Sequence, residues 1–127
     1  MNHLFVVKVE KDKNRLYLQL EGFLKDDQLT EAARQVKEGV DQLKPNFDVI
    51  NDISGFSPAT PKGREIIMDV QKYTLQKKVN RVVRIVGTTI GKIQFERSSK
   101  QAGYTAISVR SMQEAVDVLD GKIKIDS

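Results

Sequence analysis

A chain of 127 residues, 39% hydrophobic and 30% charged, has the size and composition of one globular domain able to bury a core without staples. It contains no cysteine and one histidine, His3 at the N-terminus, which removes disulfides, thiolate metal sites, cysteine nucleophiles and histidine-based triads or metal centres. The formal charge of +4 is unevenly spread: residues 72–110 hold nine Lys/Arg against one acid, Glu96, whereas residues 1–71 hold ten basic and twelve acidic side chains.

The longest apolar stretches, Leu4–Val7 and Val82–Val86, are strand-sized, so neither a signal peptide nor a membrane span is expected. With the lack of cysteine this points to the cytoplasm. Leu4–Val9 and Leu16–Leu20, separated by the charged turn Glu10–Asn14, read as an antiparallel hairpin, with Leu16, Leu18 and Leu20 on one face and Gly22 at its end. From about Gln28 the apolar period becomes helical through Leu29, Ala32, Ala33, Val36, Val40 and Leu43. Asp26 or Asp27 is the expected N-cap and Pro45 the stop. Phe47–Ile53 reads as a strand, and Ser54–Thr60 as a polar loop.

A second helix is expected from Thr60 as N-cap and Pro61 as first helical residue. Arg81–Val86 is a β-branched run typical of an inner parallel strand. A weaker helix follows Gly87-Thr88-Thr89, then a strand over Tyr104–Val109. Ser111-Met112-Gln113-Glu114 is a capping box opening a helix that turns Ala115, Val118 and Leu119 inward and ends at Gly121. The order ββαβαβαβα, with about four helices, predicts a single α/β domain over residues 1–127. Its sheet is mostly parallel with an antiparallel N-terminal hairpin.

This order, Asp52-Ile53-Ser54-Gly55 closing the central strand, Gly63 in the next helix, Ala102-Gly103-Tyr104, and the serine-capped closing helix at Ser111–Ala115 resemble the STAS domain. The form resembled is the small stand-alone bacterial, SpoIIAA-like one, the anti-sigma-factor antagonists. The resemblance covers nearly the whole chain and implies a non-enzymatic, regulatory protein-interaction module. In regulatory members a D-S-S-G segment carries a phosphorylated second serine at a helix N-terminus, where free N–H groups and the dipole favour an anion. With Asp52 and Gly63 matched, Thr60, Pro61 and Lys62 stand in place of that aspartate and the two serines. Lysine cannot be switched in this way, so the phospho-switch is not carried over.

Several side chains have two readings. Ser54, Ser57 and Thr60 are either phosphorylation sites or turn and cap residues. Asp48, Asn51 and Asp52 suggest a polar cluster at a strand end, with Asp48 or Asp52 as a general base. By alternation Asp52 points with Asp48 and away from Asn51, no second catalytic group accompanies them, and Asp52 bonding the next loop is the alternative. Gly87-Thr88-Thr89-Ile90-Gly91-Lys92 misses the P-loop spacing and its hydroxyl residue. In the second helix, Ile66, Val70 and Tyr73 form a stripe for the sheet. Met68 and Leu75 either join the core or remain for a partner or a dimer mate.

The basic residues Lys72, Lys77, Lys78, Arg81, Arg84, Lys92, Arg97 and Lys100 form either a solvated surface or a face for an acidic partner. With Tyr73 and Phe95 as the nearby aromatics, nucleic acid is not expected. Taken together, the expected partner surface comprises Asp52, Ser54, Ser57, Thr60, Lys62, Arg64, Met68 and Leu75. No catalytic residue, cofactor or metal is expected. The alternative function is a carrier of a small apolar ligand or anion, held between helix and sheet.

Overall fold

The structure, a computed structural model, describes residues 5–87, 97, 100–103 and 105–122. Five strands form one sheet in the order β1-β2-β3-β4-β5: β1 (Phe5–Glu10), β2 (Arg15–Gly22), β3 (Asp48–Phe56), β4 (Arg81–Ile85) and β5 (Ile107–Val109). β1 is antiparallel to β2, and every later pairing is parallel. The hairpin turns through a short 3₁₀ segment whose last position, Asn14, is left-handed (φ 53°), a conformation asparagine tolerates well. Helices α1 (Asp26–Asp41) and α2 (Pro61–Gln76) cross between successive parallel strands, and α3 (Met112–Leu119) follows β5. Because the strand order is sequential, right-handed crossovers place α1 and α2 on the same face.

That face holds Leu16, Leu20, Val36, Val40, Phe47, Val49, Ile53, Phe56, Ile67 and Val82. On the other face Ala115, Val118 and Leu119 of α3 pack on Ile50, Val83, Ile85 and Val109. Burying each such aliphatic side chain stabilises the fold by roughly 1.5–3 kcal/mol before chain entropy is counted. Local signals set the helix starts: Thr60 Oγ1 accepts from Gly63 N at 2.9 Å, and Ser111 Oγ from Glu114 N at 3.1 Å. Gly121, past the end of α3, has φ 78°, the left-handed stop expected there.

Four expectations are corrected. The N-cap of α1 is Lys25, not Asp26 or Asp27. Asp26 Oδ1 instead accepts the Thr60 hydroxyl at 2.5 Å, while Gln28 Oε1 accepts from Lys25 N at 2.8 Å. β3 continues beyond Ile53 to Phe56, so the loop is residues 57–60. The last strand is Ile107–Val109, shorter than Tyr104–Val109. Finally, the most buried line of α2 is Gly63, Ile67, Gln71 and Thr74, with Ile66, Val70 and Tyr73 only partly buried. α2 packs chiefly on α1 and reaches Ile53 and Phe56 of the sheet through Ile67, which turns its inward arc away from the apolar stripe. The expected third helix and most of the Gly87–Lys92 turn lie largely outside the described residues.

α3 is tied to β2 by a partly buried ion pair, Arg15 Nη2 to Asp120 Oδ1 at 3.0 Å. That hydrogen bond holds the Asp120 carboxyl below its ordinary 3.8. A carboxyl with a lower pKa folded than unfolded contributes fully above the unfolded value, and its contribution disappears as pH falls through the folded one. Melts taken from neutrality to below 3.8 are therefore expected to show a shallower acid limb in Asp120→Asn than in the wild type. An unchanged limb shows that the pair is not coupled to folding.

Candidate functional site

The carboxyl ends of β2, β3 and β4 share one end of the sheet, because these strands are parallel. Open α/β sheets place their binding crevices at that end. Pairing between β2 and β3 slips by one residue here: Gln19 faces Asp52, whereas Glu21 faces Gly55. The extra residue lies in β3, and Asp52 Oδ1 accepts from both Ser54 N (3.0 Å) and Ser54 Oγ (2.7 Å). A carboxylate that takes a backbone N–H in this way stabilises a bulge and re-aims the following side chains. Beyond it, Ser57 N donates to Gly22 O at 3.0 Å, fixing the loop against the end of β2.

Thr60 closes the loop. Its hydroxyl accepts from Gly63 N and donates to Asp26 Oδ1, joining the starts of α1 and α2. Gly63 permits this approach, since a Cβ there would meet Leu29 Cδ1 at 2.8 Å and Ala59 Cβ at 2.9 Å. Ser54 and Thr60 are thus committed by their hydroxyls. Among the described residues the Ser57 hydroxyl makes no hydrogen bond.

The expected partner residues are only partly brought together. Asp52, Ser54, Ser57 and Thr60 line the sheet end. Lys62 and Arg64 are both exposed but face opposite ways: Lys62 joins a groove against α1, and Arg64 joins another with Met68, Arg97 and Lys100. Leu75, expected to be open to a partner, packs on the core cluster of Val40, Phe47, Val49 and Val82. It lies far along α2, where the helix has settled against the sheet. Met68 is half-buried in the Arg64 groove.

Phe23, 51% exposed directly after Gly22, is a member of this surface that sequence patterning passed over. The available signal was an aromatic residue placed after a strand-ending glycine and outside the strand's alternation.

The basic segment also changes character. Arg84, read as surface charge, is 2% exposed and opposite Asn51 in the sheet register. Arg81 is bound to Asp48, and Lys77 pairs with Asp41 at 3.4 Å. Lys72, Lys78, Arg97 and Lys100 are exposed, and Lys92 lies outside the described residues.

Both carboxylates of the general-base reading are engaged by neighbouring donors, Asp52 through one oxygen. Asp48 takes Arg81 and Asn80 at the far end of β3, and Asp52 takes Ser54. Among the described residues no three His, Cys, Asp or Glu side chains converge as metal ligands, and no helix is long and apolar enough to cross a membrane. A cavity of about 50 Å³ lies between α1, α2 and the sheet, lined by Leu18, Leu29, Val36, Ile66 and Val70 with Asn51, Gln71 and Thr74. Asn51 is 5% exposed, and its Oδ1 has no hydrogen-bond partner among the described residues. The space suits a few waters, since an apolar cavity that takes benzene measures about 150 Å³.

No family profile and no curated protein matches the sequence. Solved structures do. The anti-sigma factor antagonist SpoIIAA in its unphosphorylated form superposes with a TM-score of 0.66 at 11% identity, covering 92% of this chain and 98% of that one. An uncharacterized DUF3478-family protein with a SpoIIAA-like fold, from Shewanella loihica PV-4, gives 0.70 at 13% identity, covering 94% and 96%. The chain has the SpoIIAA-like fold. At such identities the likeness concerns architecture, which is the architecture the STAS resemblance implied: a mixed sheet opened by an antiparallel hairpin and covered by helices.

Proposed function

We propose that this chain is a non-enzymatic interaction module of the STAS type, binding a protein partner in the cytoplasm through residues 54–60, the start of α2 and Phe23. One observation carries the reading. At the sheet end Asp52 Oδ1 is engaged by Ser54 N and Ser54 Oγ, while Lys62, Arg64 and Phe23 stand exposed around a four-residue loop. Such an arrangement has recognition groups and lacks a reacting pair. Two cations in the first turns of α2, with no acid in its first turn, oppose the helix dipole. A negatively charged partner group relieves that cost. SpoIIAA is an anti-sigma factor antagonist, and the shared fold supports a regulatory role for this chain by analogy only.

The family's phospho-position is Lys62 here, so the module binds without that switch. Of the other hydroxyls, Ser57 alone is uncommitted among the described residues, and modification at this site would fall on it. The carrier alternative is disfavoured by a cavity smaller than one benzene. A homodimer through α2 loses Leu75 to the core.

Exchanging Lys62 and Arg64 together for glutamate is expected to weaken capture of partner proteins from the source cells at least tenfold, with an unchanged thermal melt. Equal capture of the same proteins at equal stability overturns the assignment of this surface.

A further inference from the structure

Two grooves flank the first half of α2, and they differ in electrostatics. On the α1 side most charges are paired: Arg34 with Glu31 and Glu38, and Lys37 with Asp69 at 2.8 Å, which leaves Lys62 and Glu65 as one charge of each sign. On the other side Pro61, Arg64, Glu65 and Met68 of α2 meet Arg97, Lys100 and Gln101 around a groove of about 410 Å³. Arg64, Arg97 and Lys100 are exposed, and among the described residues none of them has an ion-pair partner. Among the described residues, three cations without an ion-pair partner and one acid thus surround a half-buried thioether. Leaving cations unpaired across a concave surface raises the local potential and attracts an anion, while methionine accepts varied apolar side chains.

We propose that this groove receives an acidic segment of a protein partner, with an apolar side chain seated on Met68 and carboxylates on Arg64, Arg97 and Lys100. The inference rests on the binding-module reading and names the chemistry of its partner. Arginine forks favour carboxylates bidentately, and the volume lies in the range of pockets that accept a small organic group. Concavity with an apolar floor selects against a duplex, which needs a track of phosphate contacts rather than a side-chain pocket.

The test uses the full chain, ¹⁵N-labelled, titrated with a nonapeptide of Glu and Asp around a central Leu. Two controls accompany it, one with all acids changed to Gln and one with Leu changed to Ser. The expected result is shift changes at Arg64, Met68, Arg97 and Lys100, at least tenfold weaker binding of both controls, and at least tenfold weaker binding by Arg97→Glu/Lys100→Glu with an unaltered melt. Shift changes confined to the Lys62 side, equal binding of the Leu-to-Ser control, or tighter binding of anionic vesicles or an oligonucleotide than of the peptide each overturn it. If Lys62→Glu/Arg64→Glu abolishes partner capture while Arg97→Glu/Lys100→Glu leaves both capture and peptide binding intact, the groove assignment falls and the wider reading stands.

Discussion

Gly87→Ala is expected to lower stability by about 3 kcal/mol, at the upper end of overpacking costs, and the melting temperature by on the order of 10 °C. Gly87 follows β4, and its backbone passes against that of Ser54 at the end of β3. A Cβ there would fall on the Ser54 carbonyl oxygen and within 3.0 Å of the Ser54 carbonyl carbon and Cα. Rotamer changes cannot relieve this, because both sides of the contact are main chain, so the strands must part where the bulge begins. Gly55→Ala is the control: its Cβ would meet only the flexible Glu21 Cγ at 3.3 Å, and a change of less than about 1 kcal/mol is expected. Equal melts for the two variants refute the close approach. The clash lies beneath Ser54, so Gly87→Ala is also expected to weaken partner capture more than its loss of stability explains.

Asp48→Ala is expected to cost about 3 kcal/mol and to leave binding untouched, because a buried carboxylate with several charged or backbone donors leaves all of them unsatisfied when removed. Asp48 Oδ1 accepts from Arg81 N at 3.1 Å, Arg81 Nε at 3.3 Å and Asn80 Nδ2 at 3.4 Å, and Oδ2 from Arg81 Nη2 at 3.0 Å. Arg81 in turn donates to Leu119 O at 3.1 Å, so one carboxylate joins β3, β4 and the end of α3. It sits at the amino end of β3, roughly 25 Å of extended chain from the binding loop. Asp48→Asn keeps an acceptor for the Arg81 N–H and is expected to cost about half as much. Urea melts of the two variants, with capture measured below the transition, check both parts. Loss of capture in a folded Asp48→Asn protein contradicts a purely structural Asp48.

Much of the fold was legible because its signals act within a few residues. The 3.6 period of α1, the Thr60-Pro61 start of α2 and the Ser111 cap of α3 each depend on groups within one helical turn. The alternation of Leu16, Leu18 and Leu20 likewise reports its own face. The candidate site was legible only where it, too, is local: the exposed first turn of α2 and the loop before it.

Elsewhere distant partners decided. Asp26 is a good cap by type, yet Thr60, far along the chain, claims its carboxylate. Arg84 looks like surface charge but lies in the middle of an inner strand opposite Asn51, and pattern has no measure of what covers a strand. Gln71 and Thr74 are buried although polar, and Leu75 is enlisted by the core, because α2 is held between α1 and the sheet. The bulge at Ile53–Ser54 and the fit of Gly87 under Ser54 arise from two strands meeting.

By itself, then, the sequence determined the element order, the helix starts set by Thr60 and Ser111, and the absence of cysteine and of any histidine beyond His3. Only the tertiary structure decided which charges are spent inside the fold and which stand free. Arg64 and Met68 of α2 share a cationic groove with Arg97 and Lys100 because the fold, and no local pattern, brings them together. Local preference is a property of neighbours in the chain, whereas burial and electrostatic compensation are properties of neighbours in space.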